Sequence, residues 1–491
     1  MYRDLLNLAK HGTIYTFGIV LSKIISFIMI PIYTNLLLPE EYGTLQLLVI
    51  TIDLISVIFS VGLTSSIMRY YFKENSINYK DMVISSALIS IIAIFTVASI
   101  IFTLFSGFFS KMVFASEAYS VHFKIMFLTM LFAGVIEMPL LYLRAVQKSK
   151  LFIIISLARL IIQLSLNILF LVVFGMGVLG VLYSGLITSI IIVLYLSIYT
   201  FKSVGFKYNF GIMKQLFIFG FPIIFSDIST FVLTFSNRYF LNHFCDLHTV
   251  GIFSLSYKFG ILVSTFFISP FNQIWGAKMF EFADKDNAAE IFSKILNYYI
   301  IIGLTLTLGL SLLTKDALRI ISNPSYWPAY RLVPYLSISY IINGMIYIIY
   351  IGILLKEKTK YIALSTIAAA LVSLSLNYLI IPPLGGKGAA LSTLISYSIR
   401  LILIAIITQK FFYIKYDWKL ILKSYGLFAI MVIIGLQINI ENIYLSLLIF
   451  TIIFFSYPVI LYYIQVISKN EKEYVIKALK NPYLTVKKLM E

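Results

Sequence analysis

Cysteine is almost absent. Cys245 stands alone in 491 residues, which excludes a disulfide framework and any site built on paired thiolates. Four scattered histidines offer no metal-ligand cluster, so no metal site is expected. Charge is scarce too: 12% of residues are charged, against about a quarter in a soluble domain. A chain with so little polar material cannot cover a water-facing surface. A soluble globular enzyme, a disordered chain and a nucleic-acid binder are excluded, even though the net charge is +17. There is no GKS/T phosphate loop to drive transport by ATP hydrolysis. No HExxH, Ser/His/Asp or paired-carboxylate arrangement argues for an enzyme either.

Apolar residues fill the space. They make up 60% of the chain, and the mean hydropathy is +0.96. A transmembrane helix needs about 20 apolar residues. Runs of that length predict fourteen helices, near 12–32, 43–67, 82–104, 122–143, 151–173, 178–200, 215–236, 249–271, 291–313, 332–355, 361–381, 388–408, 424–439 and 443–467. The runs are too long for the strands of a β-barrel, which span in about ten residues. No A-x-A-like cleavage site follows the first run, so it reads as a helix rather than a cleaved signal. The fold class is an all-α polytopic membrane protein.

Lys and Arg give the orientation. One alternating set of loops and termini holds twenty-six of them, whereas the other holds few, among them Lys111, Arg238, Lys315, Arg319 and Lys387. Under the positive-inside rule this puts both termini in the cytoplasm. The basic tail after Ile467 is expected to attract anionic lipid headgroups. The segment from Trp275 to Ser293, with Lys278, Glu281, Asp284 and Lys285, predicts an amphipathic helix at the cytoplasmic interface. Pro31, Pro139, Pro222, Pro270 and Pro334 fall in or at the ends of spans, where a proline either kinks a helix or simply marks its end.

The chain also repeats itself. Lys148-Ser149-Lys150, Ser165-Leu166-Asn167 and Gly175 recur 210 residues later as Lys358-Thr359-Lys360, Ser375-Leu376-Asn377 and Gly385. The run from Gly177 resembles the run from Gly386 at an offset of 209, and Glu41-Tyr42-Gly43 corresponds to Thr249-Val250-Gly251 at 208. Helices 1–6 therefore read as duplicated in helices 7–12. Six is even, so both copies share one orientation, as in transporters built on a parallel repeat. The expected lobes are residues 1–210 and 211–412, two six-helix bundles around a central cavity, with two more helices and the tail in 413–491.

On these residues the chain resembles a family. Leu38-Pro39-Glu40-Glu41-Tyr42-Gly43 is similar to the loop after the first helix of the polysaccharide transporter (Wzx-type flippase) family. So is the stretch from Tyr326-Trp327-Pro328-Ala329-Tyr330 through Pro334 and Lys356–Lys360 to Asn377, Pro382, Gly386 and Gly388-Ala389-Ala390. That family belongs to the superfamily holding multidrug exporters and lipid II flippases. The resemblance implies alternating-access translocation of undecaprenyl-pyrophosphate-linked oligosaccharide across the bacterial inner membrane, for surface polysaccharides such as O-antigen or capsule. It implies a lipid-linked substrate, membrane lipids and polysaccharide polymerase machinery as partners, and no nucleic acid. A lipid II-type wall precursor is the alternative cargo. A small-molecule drug exporter of the same fold fits less well, because a cationic drug calls for an acidic cavity.

Ionisable residues at membrane depth cost at least ~2.5–3.5 kcal/mol each on insertion scales, which makes them functional candidates. Lys23, Asp53, Arg159, Asp227, Lys258 and Arg400 fall near mid-depth, and Glu137 lies nearer the cytoplasmic end of its helix. Their repeat equivalents are all apolar: Phe231, Ile261, Ala369, Ile19, Ile50 and Ile191 for the first six in order. The repeat fold does not need these charges. Arg159, Lys23, Lys258 and Arg400 are therefore expected to bind a pyrophosphate headgroup, since phosphate oxygens supply the missing counter-charge. Three other readings stay open: ion pairs Lys23–Asp53 and Asp227–Lys258, Glu137 as the acidic partner of Arg159 or Arg400, and Arg400 reaching toward the cytoplasmic interface. No cofactor is expected. A proton or sodium gradient, acting through Asp53, Asp227 or Glu137, or the membrane potential would supply the energy.

Overall fold

The computed structural model describes residues 27–60 and 62–464. They form helices and no strand. Backbone polar groups find no water inside a bilayer, so each segment must satisfy its own, and the helix does that. The elements are α1 (Phe27–Leu36), α2 (Pro39–Ser60), α3 (Leu63–Tyr71), α4 (Ile77–Leu104), α5 (Ser106–Phe114) and α6 (Ser120–Ala145). They continue with α7 (Ser149–Asn167), α8 (Gly177–Val204), α9 (Phe210–Phe235), α10 (Asn237–Phe244), α11 (Leu247–Val263) and α12 (Ser269–Ala283). The last six are α13 (Ala288–Ile321), α14 (Val333–Ile349), α15 (Ile351–Leu355), α16 (Lys360–Gln409), α17 (Trp418–Gln437) and α18 (Ile443–Tyr463).

Twelve helices or continuous helical stretches among these residues are long and apolar enough to cross a membrane. One of them, α16, is 50 residues long and is two spans joined at a kink, where Gly385 has φ 53°. That accounts for thirteen of the expected spans. The remaining one, the first, lies mostly outside the described residues. The chain is a multi-pass membrane protein.

The described residues fall into two compact units. The first draws on the described part of Met1–Lys258, with Ile321–Ala329 and Ala363–Ser396. Its core is α6, packed against α4 and α8 through fully buried Val83, Phe123, Phe127, Ile136 and Leu196. The Ser99 hydroxyl donates to the Phe127 carbonyl at 2.8 Å, tying α4 to α6. The α8–α9 linker is held by the hydroxyls of Ser85 and Ser86, which accept from the amides of Lys207 and Asn209 at 2.9 Å. The Asn209 side chain then caps α9 by accepting from the Ile212 amide.

The duplication is visible in this unit's backbone. Gly175 and Gly385, 210 residues apart, both sit in the left-handed region at φ 62° and 53°. Eight residues before each is a fully buried asparagine, Asn167 or Asn377. Each asparagine amide donates to a hydroxyl on an earlier helix, Tyr33 at 3.0 Å and Ser236 at 3.1 Å. The starts of α2 and α11 share one capping box, half in each copy. Leu38 N–H donates to the Glu41 carboxylate, whereas Thr249 N–H donates to the Asp246 carboxylate. Residues 38 and 246, and 41 and 249, are the same repeat positions.

The second unit comprises Phe259–Ile320, Tyr330–Ile362 and the described part of Tyr397–Glu491. Its core lies along α13 and α14, with Phe292, Ile300, Leu304, Leu308 and Ile341 fully buried. A polar knot holds α17 and α18 to the end of α13. Asp316, fully buried, accepts from the Ser446 hydroxyl at 2.6 Å and from Arg319 at 3.4 Å. Lys315 donates to Asn439 Oδ1 at 2.7 Å and to the Ile438 carbonyl at 3.0 Å, and Arg319 donates to the Ile440 carbonyl.

Two expectations are corrected, and the open question of the prolines is decided. Lys315 and Arg319 were read as loop charges, yet Lys315 is buried because each of its hydrogen bonds reaches a carbonyl or amide of the α17–α18 connection. The segment Trp275–Ser293 is not one interfacial helix. It breaks between Ala283 and Ala288, and Trp275 turns inward, donating its indole N–H to the Tyr347 carbonyl at 2.7 Å. The prolines divide: Pro139 and Pro222 lie inside α6 and α9 and Pro270 inside the continuous stretch Leu247–Gly276, whereas Pro334 occupies the first turn of α14, where a missing N–H costs nothing.

Candidate functional site: a basic cavity in the first unit

Ser156, Arg159, Gln163 and Asn167 recur at three- and four-residue spacing, which puts them on one face of α7. That face lines a cavity of about 550 Å³, together with Tyr33 of α1 and Lys258 of α11. Ile136, Leu140, Ile155, Leu160 and Leu164 supply apolar walls. Arg159 and Lys258 are its two cations, and no carboxylate lines it among the described residues.

Each cation is held differently. The Lys258 ammonium lies 5.2 Å from the centre of the Tyr42 ring and 5.8 Å from that of Tyr33. Such a cation–π seat stabilises a desolvated ammonium by ~0.5–2 kcal/mol without neutralising it. The two tyrosines are themselves fixed. Tyr42 packs edge-on against Tyr326 at 6.0 Å, and the Tyr326 hydroxyl donates to the Leu37 carbonyl at 3.0 Å. Tyr33 receives the Asn167 amide, and the Asn167 oxygen in turn accepts from the Ser184 hydroxyl. Arg159 has no hydrogen bond or ion pair among the described residues and stays half-buried in the cavity wall. A guanidinium so placed keeps its donors for a ligand.

The acidic candidates lie outside this cavity in the same unit, although the Glu137 carboxylate lies close enough to Arg159 to act on its charge. Asp53 and Glu137 line a second cavity, of about 460 Å³, between α2, α3, α4 and α6. Glu137 faces Arg144 at 3.9 Å, both partly exposed. Asp227 sits on an exposed face of α9. The alternative pairing Asp227–Lys258 does not form, since Lys258 is taken by the two tyrosines. Lys23, and with it the pairing Lys23–Asp53, lies outside the described residues. Arg400 belongs to the second unit, where its guanidinium donates to Asn343 Oδ1 at 3.0 Å.

Sequence reasoning missed Tyr33, Gln163 and Asn167 as part of this site. The signal was present in the α7 stripe, but neutral polar residues carry little insertion penalty and so drew no attention. Arg238 was misread as a loop charge. It is buried under the Tyr257 ring at 4.4 Å and donates to the Ser254 hydroxyl at 3.2 Å, where the aromatic faces of Phe235 and Phe253 add to its seat.

The fold matches solved transporter structures. The lipid II flippase MurJ in an inward closed conformation is 17% identical, with a TM-score of 0.72, over 91% of this chain and 98% of that one. An inward-facing multidrug resistance MATE family transporter of the MOP superfamily is 13% identical, with a TM-score of 0.66, over 79% and 94%. An outward-facing MATE family transporter gives 15% and 0.56 over 82% and 95%. No curated relative matches in sequence. The fold is one used by membrane transporters and flippases, not by catalytic enzymes. The family model described as polysaccharide biosynthesis protein matches residues 8–275, more than half the sequence, and the chain belongs to that family.

Proposed function

We propose that this protein flips undecaprenyl-pyrophosphate-linked oligosaccharide repeat units from the cytoplasmic to the outer leaflet of the bacterial inner membrane. The observation that carries this reading is the basic cavity: Arg159 and Lys258 face one space that no carboxylate lines among the described residues. Half-buried cations short of counter-charge are costly; the Glu137 carboxylate offsets Arg159 in part, and an anionic ligand removes what remains of that cost. A pyrophosphate offers acceptor oxygens to the guanidinium and the ammonium together. Membership of the polysaccharide-biosynthesis family supports a glycan cargo, and the polyprenyl carrier is what the sequence resemblance implies.

In this reading the duplicated lobes, residues 1–210 and 211–412, alternate access to the headgroup, and residues 413–491 are an addition to them. Asp53 and Glu137, sharing one cavity, are the stronger candidates for coupling to a proton or sodium gradient. Asp227, which lines neither this cavity nor the basic one, is the weaker one. Arg400, the fourth basic candidate for the headgroup, donates to Asn343 within the second unit. The membrane potential favours export of the anion by ~2.3 kcal/mol per charge per 100 mV.

A lipid II-type cargo shares the polyprenyl pyrophosphate, and the fold likeness to MurJ keeps it as a second reading. Complementation separates the two. Restored surface polysaccharide in a strain lacking its oligosaccharide flippase supports the first, and rescue of a lipid II flippase deletion alone supports the second.

A further inference from the structure

A third cavity of about 550 Å³ opens in the first unit between α5, α10 and α16. The Lys and Arg distribution assigns this end of the helices to the outer face. Its walls are rings: Phe114, Tyr239, Phe240, His243, Phe244 and Tyr378. Phe244 packs edge-on to Tyr378 at 5.8 Å and lies 4.7 Å from the His243 ring. The Asn242 amide donates to the Val113 carbonyl at 2.6 Å, which fixes α10 against α5 and holds the cavity open at a set width. Tyr239 shares a hydrogen bond with Thr51 at 2.9 Å.

We propose that this aromatic cavity binds a neutral sugar unit of the glycan as it reaches the outer face. The inference rests on the oligosaccharide reading above. A pyranose ring has an apolar C–H face that stacks on an aromatic ring and a hydroxyl rim that needs hydrogen-bond partners. Phe244 and Tyr378 supply faces, and the His243 imidazole and the Tyr239 and Tyr378 hydroxyls supply partners. Neither Lys, Arg, Asp nor Glu lines the cavity among the described residues, so it suits a neutral group and not the pyrophosphate. An interfacial belt of aromatics faces lipid along a surface. These rings instead converge on one space, within the size range of ligand pockets. The 63% exposure of Tyr378 leaves its ring available to an incoming ligand. The two ends of an amphiphilic cargo thus meet different chemistry, charged for the headgroup and aromatic for the sugar.

Cys245, next to Phe244, is exposed and is the chain's one cysteine, so it reports on this site without engineering. The test measures its alkylation rate by a maleimide in the full-length protein in nanodiscs. Maltose, lactose and N,N′-diacetylchitobiose are added in turn. We expect at least one to slow alkylation saturably, by about threefold or more, at millimolar concentration. Phe244→Ala and Tyr378→Ala should abolish the protection, and Tyr378→Phe, which keeps the ring, should retain part of it. Because Tyr378 is exposed, its variants keep the test valid even if Phe244→Ala fails to fold. No protection by any of the three sugars overturns the inference, and so does equal protection in the Ala variants. Undecaprenyl pyrophosphate binding, measured on the same samples, separates the two claims. If it persists without sugar protection, the sugar site alone fails. If sugar protects but the carrier does not bind, the sugar site stands and the headgroup reading fails.

Discussion

Gly43 on α2 and Gly251 on α11 meet at a symmetric crossing. A Cβ on Gly43 would come within 2.1 Å of the Leu247 carbonyl oxygen, and one on Gly251 within 2.0 Å of the Pro39 carbonyl oxygen. Residues 39 and 247, like 43 and 251, are equivalent in the repeat. Each copy therefore presents to the other the contact it receives, which is what a pseudo-two-fold relation demands. The small residue lets the two backbones approach, as at other membrane helix crossings.

Alanine at either glycine should destabilise the protein, because the obstacle is backbone and cannot swing aside. Overpacking of this kind costs ~1–3 kcal/mol. Thermal unfolding in detergent should show a clear fall in Tm for Gly43→Ala and Gly251→Ala. Gly107→Ala, where nothing lies within 4 Å, should leave Tm unchanged.

Asn167 sits at the centre of a polar chain that orients Tyr33, and through it one face of the Lys258 seat. Asn167→Ala should cost ~1–3 kcal/mol, since Ser184 loses a buried partner. It should also weaken binding of undecaprenyl pyrophosphate without removing a charge. Titration of the carrier into Asn167→Ala and wild type, alongside Tm, measures both effects.

Asp316→Ala should be among the most damaging changes in the second unit. It leaves Arg319 without its buried carboxylate and Ser446 without its acceptor, and breaking such a pair costs ~3–5 kcal/mol. Limited proteolysis should cut the α17–α18 region sooner. The exposed pair Lys111–Glu117, at 2.6 Å, is the contrast: Lys111→Ala should change Tm little.

The cap at α11 carries a pH dependence. Burial pushes the Asp246 carboxyl up, but the Thr249 hydrogen bonds and nearby His248 outweigh it and leave the group below its ordinary value. A depressed carboxylate stabilises the fold above its unfolded pKa of about 3.9 and loses that contribution as pH falls through the folded value. Asp246→Asn, which keeps an acceptor oxygen but not the charge, should lower Tm modestly at pH 7 and flatten the acid limb of a Tm-against-pH curve in that window.

Much of this was legible in the sequence, for physical reasons. Long apolar runs and the Lys/Arg asymmetry exposed the spans, because insertion penalties act on local composition. The repeat was readable through Asn167/Asn377 and Gly175/Gly385, where a buried amide and a left-handed turn tolerate few substitutes. Arg159 and Lys258 stood out as charges in apolar runs, and they line one cavity. What stayed hidden depends on distant helices meeting. The Tyr33–Tyr42 seat of Lys258 joins α1, α2 and α11, and no spacing along the chain encodes it. Arg238 and Lys315 looked like loop charges because position relative to an apolar run says nothing of burial. The acidic pair Asp53 and Glu137, 84 residues apart, became neighbours only through α2 and α6 packing around one cavity.

The measurement closest to the central claim is carrier transport in proteoliposomes by Arg159→Ala, Lys258→Ala and their double variant, using undecaprenyl-pyrophosphate-linked oligosaccharide. Tm for each variant should match wild type to within a few degrees, since Arg159 makes no hydrogen bond or ion pair among the described residues. Transport should fall about tenfold or more for Arg159→Ala, equivalent to ~1.4 kcal/mol of lost headgroup binding, and further for the double variant. Transport at wild-type rates in all three would contradict the anionic headgroup site.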